Sequence, residues 1–155
     1  MEEALREAQR AQAQGEVPVG AVIVHAGKVL ARGSNRNLSD SDPTAHAEIV
    51  TLREAARQIG NQRLEDCEMF VTLEPCAMCA GAMVHARLRR LVYGAADPKA
   101  GAVRSVLKVL NHHRLNHKMK VKAGVLAGRC GELLRGFFRL RRRDEIGRAS
   151  CRERV

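Results

Sequence analysis

Residues 73–83 read LEPCAMCAGAM and hold two cysteines three positions apart, Cys76 and Cys79. Thiols at this spacing serve as a redox pair, as half of a structural zinc knuckle, or as part of a catalytic metal site. Residues i and i+3 are neighbours on one helix face, so both sulfurs can reach one ion, and the positive end of a helix favours thiolates there. No second C-x-x-C exists, and Cys67 and Cys130 stand alone, so a four-cysteine ribbon lacks its other half. The missing ligand is suggested by PTAHAEIV at 43–50, where His46 opens a helix as the cysteines do. One histidine and two cysteines leave the fourth tetrahedral position open, which is the catalytic kind of zinc site. Glu48, two residues on, then stands where a carboxylate can shuttle a proton of water at the metal. An ideal helix puts positions two apart on roughly opposite faces, so this role requires the first turn or the rotamer to bring Glu48 inward.

These residues need elements to carry them. Met1 to Gln14 is rich in Ala, Glu, Gln and Arg and predicts a helix stopped by Gly15. VGAVIVHAGKVLARG at 19–33 reads as a hairpin about an Ala-Gly turn, and 34–44 is loop chemistry. Apolar spacing predicts a helix over 45–59 with Thr44 as its N-cap and Gly60 as its stop. CEMFVTL at 67–73 reads as a strand, Pro75 begins a helix through CAMCAGAMVHARL, and RRLVYGA returns to a strand. Further on, VLKVL at 106–110 predicts a short helix, KMKVKAGVL a strand and CGELLRGFFRLRRR the last helix. Strands alternating with helices after an opening hairpin indicate an α/β layered domain around one mostly parallel sheet. Residues 144–155 lack apolar periodicity and are expected to be a disordered or non-native tail to a single domain over 1–143.

Composition narrows the classes. The 155 residues carry a formal net charge of +10, which suits a polyanionic partner such as nucleic acid. With only Phe70, Tyr93, Phe137 and Phe138 as aromatics, generic single-strand coating by base stacking is disfavoured. Five unevenly placed cysteines and no apolar leader or span argue against a disulfide framework and a membrane protein, and point to the cytoplasm.

HAE at 46–48 followed by PCAMC at 75–79 matches the H-x-E…P-C-x-x-C signature of zinc-dependent nucleobase deaminases. With EVPVGAVIV, NRN, DPTAHAEI, VTLEPCAMCAGAMVHARL, GAADPKAGA, LNH and FFRLRRR, the chain resembles the bacterial tRNA-specific adenosine deaminases over roughly residues 1–143. The resemblance implies a three-layer α/β/α cytidine-deaminase-like fold with a central mixed five-stranded sheet. It implies one Zn2+ per subunit on His46, Cys76 and Cys79, with Glu48 as the proton shuttle. Asn35 would hydrogen-bond the flipped base, helped by the backbone of Ala47, while Asp97 and Asn116 would line the RNA groove. Phe138 and Arg139 of the basic last helix would add RNA contact. Ala96 departs from those family members that carry a basic residue just before the aspartate corresponding to Asp97. The reaction implied is hydrolytic: zinc-activated water adds to the amine-bearing carbon of adenine, Glu48 moves the proton, ammonia departs and inosine remains. The substrate would be adenosine at the wobble position of a tRNA anticodon stem-loop, already single-stranded and cheap to extrude, and the enzyme would be a homodimer. A deaminase of a free base or nucleoside, of guanine or cytosine type, would share the zinc chemistry but has no need of an arginine-rich last helix. A noncatalytic RNA-binding module with structural zinc would not need Glu48.

Overall fold

The computed structural model describes residues 1–152, with side chains through Ala149. Helix α1 spans Glu2–Ala13 and lays Ala4, Leu5, Ala8 and Ala11 against the sheet, a stripe at helical spacing that explains why so polar a segment docks at all. Its contact with strand β1 (Gly20–His25) is close: a Cβ on Gly20 would lie 2.1 Å from the Ala4 carbonyl oxygen. Strand β2 (Lys28–Ser34) returns antiparallel to β1. The turn residues Ala26 and Gly27 both have positive φ, 50° and 75°, as a two-residue hairpin requires.

Helix α2 (Ala47–Ile59) ends, as its glycine predicts, at Gly60 in the left-handed conformation. It packs on β1 and β2, and Gly33 leaves room for Thr51, whose hydroxyl would stand 2.4 Å from any Cβ there. Strand β3 (Cys67–Leu73) pairs antiparallel with β1. Helix α3 (Ala77–Ala86) then leads into β4 (Arg90–Ala95), parallel to β3. A long connection brings in β5 (Lys120–Lys122), parallel to β4. Helix α4 runs from Ala127 to Arg152.

The sheet order is β2-β1-β3-β4-β5. Two of its four pairings are antiparallel and two parallel, so the sheet is mixed, as the family resemblance implies, and not mostly parallel as strand and helix alternation predicts. Helices α1 and α4 cover one face and touch each other; α2 and α3 cover the other. This is the three-layer α/β/α arrangement of cytidine-deaminase-like proteins. Between the layers Ile23, Met69, Val71, Met83, Leu88 and Leu91 are fully buried.

Three local expectations fail for identifiable reasons. Helix α2 starts at Ala47, not 45, and Thr44 is no cap, because its N–H and hydroxyl both donate to the Asp42 carboxylate. Residues 106–110 form no helix, since the N–H groups of Val106 and Leu107 fold back onto the Gly101 carbonyl. The strand expected from KMKVKAGVL is only the three residues of β5. Residues 144–152, set apart in the sequence as a tail, continue α4 with exposed side chains through Ala149; residues 153–155 of that tail lie outside the described residues. Among the described residues no helix is long and apolar enough to cross a membrane.

Candidate active site

Strands β2, β3 and β4 point the same way, and their carboxyl ends release the three segments that build one cleft. This is the edge at which open α/β sheets bind ligands. His46 comes from the β2–α2 connection, Cys76 from the β3–α3 turn, Cys79 from the first turn of α3, and Asp97 from the loop after β4. The cleft has a volume of about 820 Å³ and is lined among others by Asn35, His46, Glu48, Cys76, Asp97 and Phe138.

His46 is the N-cap of α2 and Cys76 the N-cap of α3, both with extended backbone, at ψ 153° and 176°. The two cysteines are therefore not neighbours within one helix, as their spacing alone predicts; Cys76 precedes the helix and Cys79 sits in its first turn. The His46 Nδ1 lies 3.6 Å from the Cys76 sulfur and 3.5 Å from that of Cys79. All three ligand atoms fall within 4.8 Å of one another. A tetrahedral ion with bonds of about 2.1 Å to nitrogen and 2.3 Å to sulfur separates those ligands by about 3.6 Å, so the three donors fit zinc.

Electrostatics agree with the geometry. The Cys76 sulfur accepts from the Cys79 thiol and the His46 ring, which hold it down at about 3, in the range of a ready thiolate. The bond to Cys76 correspondingly raises the His46 ring and, with burial, the Cys79 thiol. Both helix N-termini add partial positive charge at the same point.

The extended conformation of His46 also resolves the problem of Glu48. Because His46 stands outside the helix, the angle of 100° per residue does not separate the two side chains, and Glu48 turns inward to 4% exposure beside the cleft. Burial pushes its carboxyl up to about 6, which suits a group that takes and returns a proton near neutrality.

Asn35 is buried at the rim of the site, and its Oδ1 accepts the Ala47 N–H at 2.8 Å. It thereby supplies from a remote loop the cap that Thr44 does not. The side-chain amide remains for a ligand. Ala47 is fully buried, its N–H given to Asn35 and its carbonyl accepting from the Thr51 hydroxyl at 2.6 Å, so its backbone holds Asn35 in place.

Asp97 lines the cleft half-buried, its Oδ1 accepting from the N–H groups of Lys99 and Ala100. Phe138, 41% exposed, stands edge-on to the buried Phe137 and lines the cleft with Arg139. Asn116 lies elsewhere, in a second surface depression with His85, Arg87, Lys108 and His112.

Sequence reasoning missed two buried acids that hold the cleft's loops. Glu16 accepts from the N–H and hydroxyl of Ser39 at 2.7 and 3.0 Å, pinning the loop that carries Asn35. Glu74, 2% exposed, accepts from the N–H groups of Asp97, Val103, Arg104 and Ser105 and from the Ser105 hydroxyl. Burial alone would push its carboxyl up, but the Ser105 hydroxyl and the backbone donors outweigh it and hold the carboxyl at about 2. The signal available was its place directly before Pro75, at the mouth of a strand.

A family model described as MafB19-like deaminase matches residues 1–142. The tRNA-specific adenosine deaminase of Haemophilus influenzae is 47% identical over 146 residues, 94% of this chain and 84% of that protein. That of Bacillus subtilis is 43% identical over 154 residues, 99% of this chain and 96% of that protein. A solved structure from a study of A-to-I editing by tRNA:A34 deaminases superposes with a TM-score of 0.84 at 46% identity, over 86% of this chain and 97% of that one. A guanine deaminase from Bacillus subtilis superposes with a TM-score of 0.59 at 38% identity, over 61% of each chain. With the histidine, two cysteines and buried glutamate standing together in its cleft, the chain belongs to the MafB19-like deaminases and, within them, to the family of tRNA-specific adenosine deaminases.

Proposed function

We propose that this protein hydrolyses adenosine to inosine at the wobble position of a tRNA anticodon, releasing ammonia. The observation that carries the reading is the cleft itself: a three-donor metal site and a buried acid, with Arg135, Arg139 and Arg142 of α4 on the same lining. Bound to His46, Cys76 and Cys79, one Zn2+ per subunit would polarise water for attack on the base. Glu48 takes a proton from the attacking water and gives it to the ring nitrogen, then carries a second proton, from the hydroxyl added to the carbon, to the amine, so that ammonia leaves and the carbonyl of inosine remains; a carboxyl near 6 suits both transfers. Asn35, its oxygen committed to Ala47, donates its amide N–H to an acceptor on the base. Asp97, Phe138 and Arg139 border the extruded nucleotide. The arginines of α4 meet phosphate, a contact that a free base does not offer.

A tRNA substrate places the work in the cytoplasm. A homodimer is part of the same reading, supported by the exposed apolar side chains of Met78, Val106 and Leu107, which a second copy would cover. The basic depression holding Asn116 offers RNA a second surface beside the cleft's own.

The test is to incubate the zinc-loaded protein with an anticodon stem-loop bearing adenosine at the wobble position, and separately with guanine, cytosine and cytidine. Inosine should form in the RNA alone. Glu48→Gln should lower that rate by roughly 10²–10⁴-fold while zinc content stays at one per chain. Ammonia released only from a free base or nucleoside would instead assign the activity to a deaminase of guanine or cytosine type, according to which of them reacts.

A further inference from the structure

We propose that Glu74 is a positioning residue for the substrate: its carboxylate gathers both ends of the 97–105 loop onto the turn that carries Cys76 and so sets the wall against which the RNA is seated. This rests on the reading of the cleft as the site of wobble-adenosine deamination.

The loop after β4 must cross the mouth of the cleft without helix or strand to satisfy its backbone. Glu74 supplies what secondary structure does not. Its Oε2 accepts the Asp97 N–H at 3.0 Å, at the start of the loop, and its Oε1 accepts those of Val103, Arg104 and Ser105 at 3.2, 2.8 and 2.9 Å, at the end. The main chain makes the same join, with the Ala102 N–H on the Pro75 carbonyl and the Glu74 N–H on that of Ala95, both at 2.8 Å. Pro98, Lys99 and Ala100, between these anchors, are exposed on the cleft lining. Gly101 is required by the closeness of the wrap, since a Cβ there would stand 2.4 Å from the Glu74 carboxyl. Five donors converge on one acceptor-only group, which glutamine cannot replace without aiming its own N–H groups at some of them. Glu74 itself, buried behind the loop and two residues before a metal donor, couples the height of that wall to the position of Cys76.

Glu74→Gln should therefore raise KM for the wobble-adenosine stem-loop about tenfold or more while kcat changes less than about threefold, the mark of lost binding and not of lost chemistry. Zinc should remain at one per chain. Hydrogen exchange should accelerate at the amides of residues 97 and 103–105 and not in β3 or β4. Ser105→Ala, which removes one donor and leaves the acid in place, should shift KM the same way by less and guards against a glutamine variant that fails to fold. A residue that merely held the fold would lower the active fraction, so a fall in kcat or zinc content at constant KM overturns the proposal, as does an unchanged KM in both variants. If the unaltered protein makes no inosine at all, the functional reading fails by itself; exchange at the four amides then decides for the cradle, and unchanged exchange in Glu74→Gln sinks it.

Discussion

At the scale of single residues, the proposed metal and acid set was legible because its chemistry is written in residue types that have few other uses together. Two thiols three apart, a histidine and an acid two positions beyond it define a donor set whatever the fold, and the structure brings His46, Cys76, Cys79 and Glu48 to one point. What spacing could not convey was backbone conformation. His46 and Cys76 reach the same point because each stands just outside its helix in extended backbone, and it is this half-step that lets Glu48 face inward. Asn35 illustrates a second limit, because its amide has two ends with different duties. The oxygen caps α2 through Ala47, and the nitrogen is the end proposed to meet the base. These duties separate by substitution. Asn35→Asp keeps the acceptor and should leave thermal stability close to the parent while raising KM for the RNA. Asn35→Ala removes both and should also cost about 1 kcal/mol of stability, the usual worth of a lost N-cap. Thermal unfolding and steady-state kinetics on the two variants check this, and equal stability losses would deny the division of labour.

At the scale of elements, the parts that local chemistry decides were readable and the parts decided by distant partners were not. The hairpin followed from its Ala-Gly turn and the end of α2 from Gly60. The segment 106–110 has helical spacing but sits just beyond a loop whose N–H groups are claimed by Glu74, an acid some thirty residues away in sequence. The loop from Asn35 to His46 depends in the same way on Glu16, a buried acid before β1. Burial would raise the Glu16 carboxyl, but the N–H groups of Ser39 and Leu38 and the Ser39 hydroxyl outweigh it and hold it below its ordinary value. A carboxyl lowered on folding contributes stability above its unfolded value, about 4.3, and loses it as pH falls through the folded one. Glu16→Gln should therefore lower the melting temperature at pH 7, and the difference should shrink as pH is taken below about 4. A difference that stays constant across that range would mean that the carboxylate charge is not what holds the loop.

At the scale of the whole molecule, the alternation of strands and helices correctly announced an α/β layered domain but not the strand order. That β1 lies between β2 and β3, making the sheet half antiparallel, depends on pairings between segments some fifty residues apart. The net charge of +10 was visible from composition, yet composition says nothing of where the charge is committed. On α4 the arginines that line the cleft differ in this respect. Arg135 is held by Glu132 at 2.8 Å and Arg139 reaches the same carboxylate at 3.8 Å, whereas Arg142 has no ion-pair partner among the described residues. A cation already paired with an acid brings little net charge to phosphate and displaces few counterions from RNA. Arg142→Ala should accordingly reduce the slope of log K against log salt for stem-loop binding by about 0.7–0.9, one phosphate contact. Arg135→Ala should change that slope by clearly less, even if it weakens binding by loosening the helix. Titrations of both variants from low to moderate salt measure the two slopes directly. Equal reductions would mean that Glu132 releases Arg135 when RNA arrives, and identical slopes in parent and Arg142→Ala would remove this turn of α4 from the RNA interface.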